Sequence, residues 1–285
     1  SVTEIGSFAF EGCKSLTNVN IIKCSIFTKT ELSPSENKIG VSAFNGCSSL
    51  VHITIPYSVK LICKFAFKEC VSLEKINIPS SVSFIDSFAF EGCSKLSQIT
   101  IDPYITRFKP NAFQDCTSIK SLNFASAMKT IENNNLNQLF MNIGKITEID
   151  IPPSVSSIGS NAFKECSSLE KISIPSSVTV IKDFAFDQCL NLKQITIDPY
   201  HTQVQSTSFN NCISLVHLII STKNTSIVSD KLQNILNIIN HITQVTILLP
   251  VASIEDDAFK NCKTLTEISI PYTVKQIKSY AFDGC

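Results

Sequence analysis

The feature that most constrains this sequence is a short phrase that returns at a fixed spacing. From Cys47 onward, the cysteines of the phrase A-F-x-x-C lie 23, 23, 23, 50, 23, 23, 50 and 23 residues apart. The interval of 50 is one period of 23 and one of 27, so two repeats lack the cysteine and have four extra residues. Such a period is typical of a solenoid, in which each coil covers the apolar edge of the next. The ten periodic cysteines are Cys13, Cys47, Cys70, Cys93, Cys116, Cys166, Cys189, Cys212, Cys262 and Cys285.

Each repeat predicts two short extended segments and a turn. The sequence LEKINIP places Lys75 and Asn77 on one side of a strand and its leucine and isoleucines on the other, because side chains alternate along a strand. Pro79 ends this strand because it has no N–H to donate to a sheet. SVSFID is a second extended piece, and FAFEGC turns the chain and buries Phe90 and Cys93. Eleven strands of the form L-x-x-I-x-I are predicted, beginning at Leu16, Leu50, Leu73, Leu96, Ile119, Ile146, Leu169, Leu192, Leu215, Ile242 and Leu265.

Two repeats replace the A-F-x-x-C turn with a segment of helical periodicity. ENNNLNQLFMNIGKI and SDKLQNILNIINHI each place apolar residues at i, i+3, i+4 and i+7, which predicts an amphipathic helix. They lie 96 residues apart, as do the similar stretches 81–104 and 177–200. We therefore expect a duplicated block of four coils, at about 70–165 and 166–261, and a third block that begins at Cys262. The apolar helical positions are Leu136, Leu139, Phe140 and Ile143, and then Leu232, Ile235, Leu236 and Ile239.

The prediction for domain organisation is a single solenoid domain over 1–285. The segment 21–40 contains Ser-Pro-Ser and adds eleven residues between Cys13 and Cys47, so it is predicted as a surface loop. The chain opens and stops inside the repeated phrase, and we therefore expect it to be a fragment of a longer protein.

Composition excludes some classes of partner. Hydrophobic residues make up 44% and charged residues 17%, which indicates a folded chain. Lys plus Arg (24) equals Asp plus Glu (24), so no cationic excess favours nucleic acid, and no nucleic-acid partner is expected. No apolar run approaches the length of a membrane span, and direct membrane insertion of this segment is not predicted.

The repeated phrase resembles a known family. L-x-x-I-x-I-P followed by S-V-x-x-I-x-x-x-A-F-x-x-C resembles the BspA-like class of leucine-rich repeats over nearly the whole chain, and departs from it at 21–40 and in the two helical modules. The resemblance implies a leucine-rich repeat solenoid, a β-rich α/β fold, curved, with a parallel sheet on the concave face. The helical modules are then expected on the convex side. The family also implies display on bacterial or protist surfaces and adhesion to host proteins or matrix, with intracellular scaffolds in some cases, and no shared active site.

Twelve cysteines raise the question of disulfides or metal. There is no C-x-x-C pair, which disfavours a zinc site. Residues at the same place in successive coils have parallel Cβ vectors, which is poor disulfide geometry, so we predict a buried, reduced ladder. Cys24 and Cys63 lie off the ladder and are the candidates for reactive thiols, with plain packing as the alternative.

No catalytic, cofactor or metal site is predicted, and the chain is interpreted as non-enzymatic. His52 and His217 occupy the same strand position about seven coils apart, so they are not expected to form a pair. The sequence has no G-x-S-x-G, H-E-x-x-H, P-loop or G-x-G-x-x-G motif. An enzyme, the third option, would need a pocket at 21–40 or at the helical modules.

Two kinds of residue are candidates for partner binding. Outward strand positions form a mixed polar face, which suits contact with protein or glycan and equally a solvated surface that binds nothing. Tyrosines that follow a strand-ending proline are predicted to line one rim of this face; covering a neighbouring coil is the alternative. The candidates are His52, Tyr57, Lys75, Asn77, Gln98, Tyr104, Glu148, Asp150, Lys171, Gln194, Tyr200, His217 and Tyr272.

The leading hypothesis is a protein-binding module, displayed on a cell surface, that recognises a protein or host surface component through the concave sheet. The alternative is an intracellular scaffold or a regulatory subunit of a signalling enzyme such as a phosphatase, because cysteines without a disulfide plan suit a reducing compartment. Location is thus open between cell surface and cytoplasm. End-to-end self-association is also predicted, since a solenoid without caps exposes edge strands.

Overall fold

The chain folds into coils that each use two short strands. The residues that the computed structural model describes are 4–21, 37–102, 106–124, 129–132 and 146–285. They fall into two compact units, the first within 1–125 and 134–146 and the second within 126–133 and 147–285. Each unit is a parallel β-solenoid of coils of about 23 residues, which confirms the predicted fold class. A single domain over 1–285 stays a prediction.

Strands of two kinds alternate along the chain. Odd-numbered strands come from the L-x-x-I-x-I pattern, and even-numbered strands are the second extended piece. In the first unit the strands are β1 (Asn18–Val19), β2 (Lys38–Ile39), β3 (His52–Ile53), β4 (Leu61–Ile62), β5 (Lys75–Asn77), β6 (Phe84–Ile85), β7 (Gln98–Ile101), β8 (Arg107–Phe108) and β9 (Ser121–Phe124).

The second unit continues the alternation and adds a helix. Its strands are β10 (Thr130–Ile131), β11 (Glu148–Asp150), β12 (Ser157–Ile158), β13 (Lys171–Ser173), β14 (Val180–Ile181), β15 (Gln194–Ile197), β16 (Gln203–Val204), β17 (His217–Ile220), β18 (Ser226–Ile227), β19 (Gln244–Ile247), β20 (Ser253–Ile254), β21 (Glu267–Ser269) and β22 (Gln276–Ile277). Helix α1 (Ser229–Ile238) follows β18.

All eleven predicted L-x-x-I-x-I strands are present, and each begins two residues after the predicted leucine or isoleucine. The turn explains this offset. The N–H of Leu73 donates to the carbonyl of Cys70, and the N–H of Leu192 to that of Cys189, so the leucine still belongs to the turn.

Neighbouring odd strands pair in parallel and in register. Lys75 lies opposite Gln98, which lies opposite Ser121. In the second unit the pairing runs from β11 to β21 through each odd strand in order. Even strands form further parallel sheets, β2–β4–β6–β8 in the first unit and β10–β12–β14–β16 and β18–β20–β22 in the second. The side chains of one repeat position therefore form columns.

The A-F-x-x-C turn bends because two of its residues have left-handed backbone. In one coil these are Phe88, before the alanine (φ 61°), and Gly92, before the cysteine (φ 74°). Glycine and asparagine adopt this conformation at little cost, and Asn111 takes the first position in the next coil. Several coils instead place an aromatic residue there, namely Phe8, Phe65, Phe88, Phe184 and Tyr280.

The core beneath these turns is a column of stacked rings and thiols. Phe67 and Phe90 are fully buried, with ring centroids 5.0 Å apart. The Cys93 thiol donates to the carbonyl of Phe67 at 3.1 Å, one coil back. The same bond recurs between Cys212 and Phe186 at 3.0 Å. We call this the Phe–Cys column; it comprises the periodic phenylalanines and cysteines of the A-F-x-x-C turns.

Helix α1 confirms the second predicted helical module. Leu232, Ile235 and Ile239 are buried and Leu236 is half-buried, as the i, i+3, i+4, i+7 pattern requires. The first predicted helix, at 136–143, and most of the predicted loop at 21–40 lie outside the described residues.

Candidate functional site

The outward side chains of the odd strands form a polar surface in each unit, and we call these surfaces the odd-strand face. In the first unit, Lys75 and Asn77 are exposed and Gln98 is half-buried, with His52 exposed on β3. In the second unit, one column of the face runs in register through Glu148, Lys171, Gln194, His217, Gln244 and Glu267. Asp150, the last residue of β11, is exposed like Glu148, the first residue of the same strand.

Contacts along this face are those of surface side chains. Lys171 Nζ lies 3.4 Å from Glu148 Oε1, and both side chains are exposed. His217 Nε2 lies 2.9 Å from Thr246 Oγ1, across to the next strand. An exposed ion pair contributes only about 0–1 kcal/mol to stability. These side chains therefore contribute little to the stability of the fold. Their main effect is on the pattern of charge and hydrogen-bonding groups at the surface.

The tyrosines do not share one environment. Tyr57 and Tyr272 are 66% and 89% exposed. Tyr200 is half-buried: its hydroxyl donates to the Val228 carbonyl at 3.1 Å and accepts from the Val228 N–H at 2.9 Å. Burial raises the pKa of Tyr200 to about 12. For Tyr200 these contacts favour the packing alternative, and Tyr104 lies outside the described residues.

The described cysteines are all free thiols. Seven of the ten periodic ones are buried, and burial raises the pKa of Cys70 and Cys93. The prediction of a buried ladder is wrong for Cys13 and Cys285, which are exposed, and incomplete for Cys262, which is half-exposed. Cys13 and Cys285 lie in the outermost described coils, where a neighbouring coil covers one side only. The coil of Cys262 has neighbours on both sides, since Phe259 stacks on Phe282 and Gln233 of α1 donates to the Lys260 carbonyl.

The candidate reactive thiols off the ladder are Cys24 and Cys63. Cys63 is buried, and burial raises the pKa of its thiol, which favours packing over reactivity because the thiolate is the nucleophile. Cys24 lies outside the described residues.

A second polar column follows the third residue of the phrase A-F-x-x-C, and the sequence analysis missed it. Lys68 Nζ lies 2.9 Å from Glu91 Oε2, and Lys164 Nζ lies 3.2 Å from Asp187 Oδ2 one coil on. Asp187 is buried and also accepts from Asn210 at 2.9 Å and from Asn211 at 3.1 Å. The signal available in the sequence was the opposite charge at a spacing of 23 residues.

These partners control the charge of Asp187. Burial alone would raise the pKa of this carboxyl, but hydrogen bonds from Asn210, Lys164 and Asn211 outweigh burial, and the pKa is lowered. Asp187 therefore acts as a structural anion that links three coils.

Within the described ranges, no three His, Cys, Asp or Glu residues are grouped in a way that could hold a metal ion. None of the helices in the described part of the chain has the length and apolar character needed to cross a membrane.

Comparison with known families identifies the repeat. The family model for the BspA type leucine rich repeat region matches in six copies, at residues 1–26, 22–139, 136–247 and 239–285. The chain belongs to this family. It is thus a BspA-type leucine-rich repeat protein, and leucine-rich repeats are a protein-interaction fold. Comparison with curated proteins gave no match.

Solved structures of bacterial leucine-rich repeat proteins are similar to this chain. One from Bacteroides ovatus is 25% identical, with 99% of this chain and 74% of that chain covered and a TM-score of 0.39. A leucine-rich cell surface protein from Faecalibacterium prausnitzii is 28% identical, with 99% and 80% covered and a TM-score of 0.39. One from Eubacterium ventriosum is 23% identical, with 99% and 80% covered and a TM-score of 0.34.

Proposed function

We propose that this BspA-type leucine-rich repeat chain is a non-enzymatic binding module. Its odd-strand face, together with Tyr57 and Tyr272, contacts a protein or another component of a host surface, and the chain is displayed on a cell surface. The parallel sheet that carries this face is the concave side of the solenoid.

The observation that supports the proposal is the contrast of chemistry along one column of equivalent positions. Glu148, Lys171, Gln194 and His217 have the same backbone environment but differ in charge and hydrogen bonding. Because exposed strand positions contribute little to stability, the fold does not require this variety. A varied, mostly polar column with exposed tyrosines nearby suits recognition of a partner, since tyrosine is favoured at binding hot spots.

The test compares two variants with the same change in charge. The first reverses Lys75→Glu, Glu148→Lys and Lys171→Glu on the odd-strand face. The control reverses Lys60→Glu, Glu132→Lys and Lys182→Glu, three exposed residues beside even strands. Immobilised wild-type chain should retain a partner from extracts of the natural target surface, and the first variant should lose about tenfold or more in affinity for it, because charge complementarity is broken.

The control variant should keep the partner. If both variants bind the partner as wild type does, the odd-strand face is not the binding surface. If both lose it equally, the loss reflects net electrostatics and the proposal also fails.

An intracellular scaffold or regulatory subunit of a signalling enzyme, such as a phosphatase, is the second candidate. The observation that favours it is the set of described cysteines, all reduced, which suits a reducing compartment. Treatment of intact cells with a protease that cannot enter them separates the two. Loss of the chain supports display, and full protection supports the intracellular role.

Self-association end to end is a further proposal about partners. Among the described residues β21 is the outermost odd strand of its sheet, and this edge can pair with a strand of a second copy of the chain. Sedimentation at increasing concentration tests this, and a constant monomer mass contradicts it.

A further inference from the structure

A cleft of about 390 Å³ lies in the second unit, between helix α1 and the segment from Pro199 to β16. Its floor is apolar and buried, formed by Pro199, Val204 and Ile235. Cavities that hold small ligands measure roughly 300–1,000 Å³ and combine an apolar surface with a few polar groups. The cleft meets both conditions, and it lies off the odd-strand face.

The rim of the cleft is made of hydrogen-bond donors. His201, Gln203, Lys231 and Asn234 stand around it, and all four are exposed. Among the described residues that line the cleft there is no Asp or Glu. One donor of the Lys231 ammonium goes to the Tyr200 carbonyl at 2.9 Å, which leaves two that can reach a ligand.

Hydrogen bonds join the two walls of the cleft, which are helix α1 and the segment from Pro199 to β16. The Tyr200 hydroxyl bonds both backbone groups of Val228, directly before α1, and Lys231 on α1 bonds back to Tyr200. Thr202, also in the lining, is buried and donates to the Val178 carbonyl at 2.8 Å. These contacts belong to the fold itself, so the cleft is formed before any ligand binds.

The internal duplication shows that the fold does not demand this rim. At the 96-residue offset, the first block has Ile105 where the second has His201, and Asn135 where the second has Lys231. The surrounding sequence QITIDPY is identical in both blocks. The first block also has Arg107 where the second has Gln203, so its rim can carry positive charge at a different position. The pair of His201 and Lys231 occurs in the second block alone.

We propose that this cleft binds a hydroxyl-rich carboxylate about the size of one sugar ring. Lys231 and His201 meet the carboxylate through charge-assisted hydrogen bonds. Gln203 and Asn234 meet hydroxyl groups, because an amide both donates and accepts, as a hydroxyl does. The ring lies over Val204 and Ile235.

The histidine signals of the proton NMR spectrum give a direct test, since the chain has only four histidines. D-glucuronate is the probe and D-glucose, which lacks the carboxylate, is its matched control. Titration with glucuronate should move the ring signals of His201 to saturation, with a Kd of about 1 mM, as expected for a ligand of this size. Glucose should bind at least about tenfold more weakly, because charged pairs supply most of the attraction.

Two variants at Lys231 separate its charge from its place in the fold. Lys231→Asn installs the residue of the first block, and Lys231→Gln keeps a donor near the Tyr200 carbonyl. Both should weaken glucuronate binding about fivefold or more while the signals of His217 stay unchanged.

The proposal is overturned by three results: no movement of the His201 signals far above the expected Kd, equal binding of glucose, or wild-type affinity in the Lys231→Gln variant. Because the cleft lies off the odd-strand face, each result leaves the proposed function standing.

Discussion

The Phe–Cys column and the odd-strand face follow the same period but have opposite chemistry. Phe163, Phe186 and Phe209 repeat one side chain with ring centroids 5.0–5.1 Å apart, and all three are buried. On the odd-strand face the same coils show Lys171 and Gln194, exposed and half-buried. Uniform side chains mark the positions that packing constrains, and varied side chains mark those that packing leaves free.

The largest effect is expected from a cavity in the Phe–Cys column. Phe186→Ala should lower the free energy of unfolding by about 4 kcal/mol, because it removes a fully buried ring and leaves a cavity between two neighbours. Urea unfolding followed by circular dichroism measures this. Leu190→Ala, an exposed apolar residue of the same turn, is the control and should cost less than about 1 kcal/mol. Equal losses in both variants would mean that the column is not the core.

The next effect concerns Asp187, a buried charge beside the column. Asp187→Asn should cost about 2 kcal/mol at neutral pH, because Lys164, Asn210 and Asn211 all donate to the carboxylate. The folded pKa of Asp187 is lowered. The ionised carboxylate therefore stabilises the fold fully above the unfolded pKa of about 4, and this stabilisation is lost as pH falls through the folded pKa.

The difference between wild type and Asp187→Asn should therefore shrink in urea unfolding as the pH falls from neutral through the folded pKa of Asp187, which lies below the ordinary aspartate value of about 4, because the native Asp187 is then protonated. A difference that is the same at low and neutral pH would show that shape, and not charge, explains the loss.

The sequence period makes the contacts that recur in every coil predictable, but it does not predict contacts that occur in one coil only. Strand positions and the buried thiols followed from spacing, because a contact made once is made in nearly every coil. Tyr200 was assigned to a rim by its place after a proline, yet its hydroxyl bonds Val228. That contact depends on helix α1, which only one described coil carries. The cluster at Asp187 depends on which side chain lies one coil away, and a single repeat does not encode it.

Phe184 differs from the buried rings of the column although it lies only two residues before Phe186: it is 39% exposed and has a left-handed backbone (φ 57°). Glycine is usually less stable than alanine at a given position, but at a positive φ the order reverses. Phe184→Gly should therefore be more stable than Phe184→Ala by about 1 kcal/mol. At Leu190, glycine should be the less stable of the two. The same order at both sites in urea unfolding would contradict a special backbone at Phe184.

The smallest effect is expected on the odd-strand face itself. Lys171→Glu places a second carboxylate beside Glu148, but both positions are exposed, so the cost should be about 0.5 kcal/mol. The exchange Glu148→Lys with Lys171→Glu should recover most of that loss in a double-mutant cycle measured by urea unfolding. A loss of several kcal/mol would mean that the face helps to hold the solenoid together. Its varied side chains would then have a structural reason, and weaker partner binding by the charge-reversed variant could not be assigned to lost contacts with the partner.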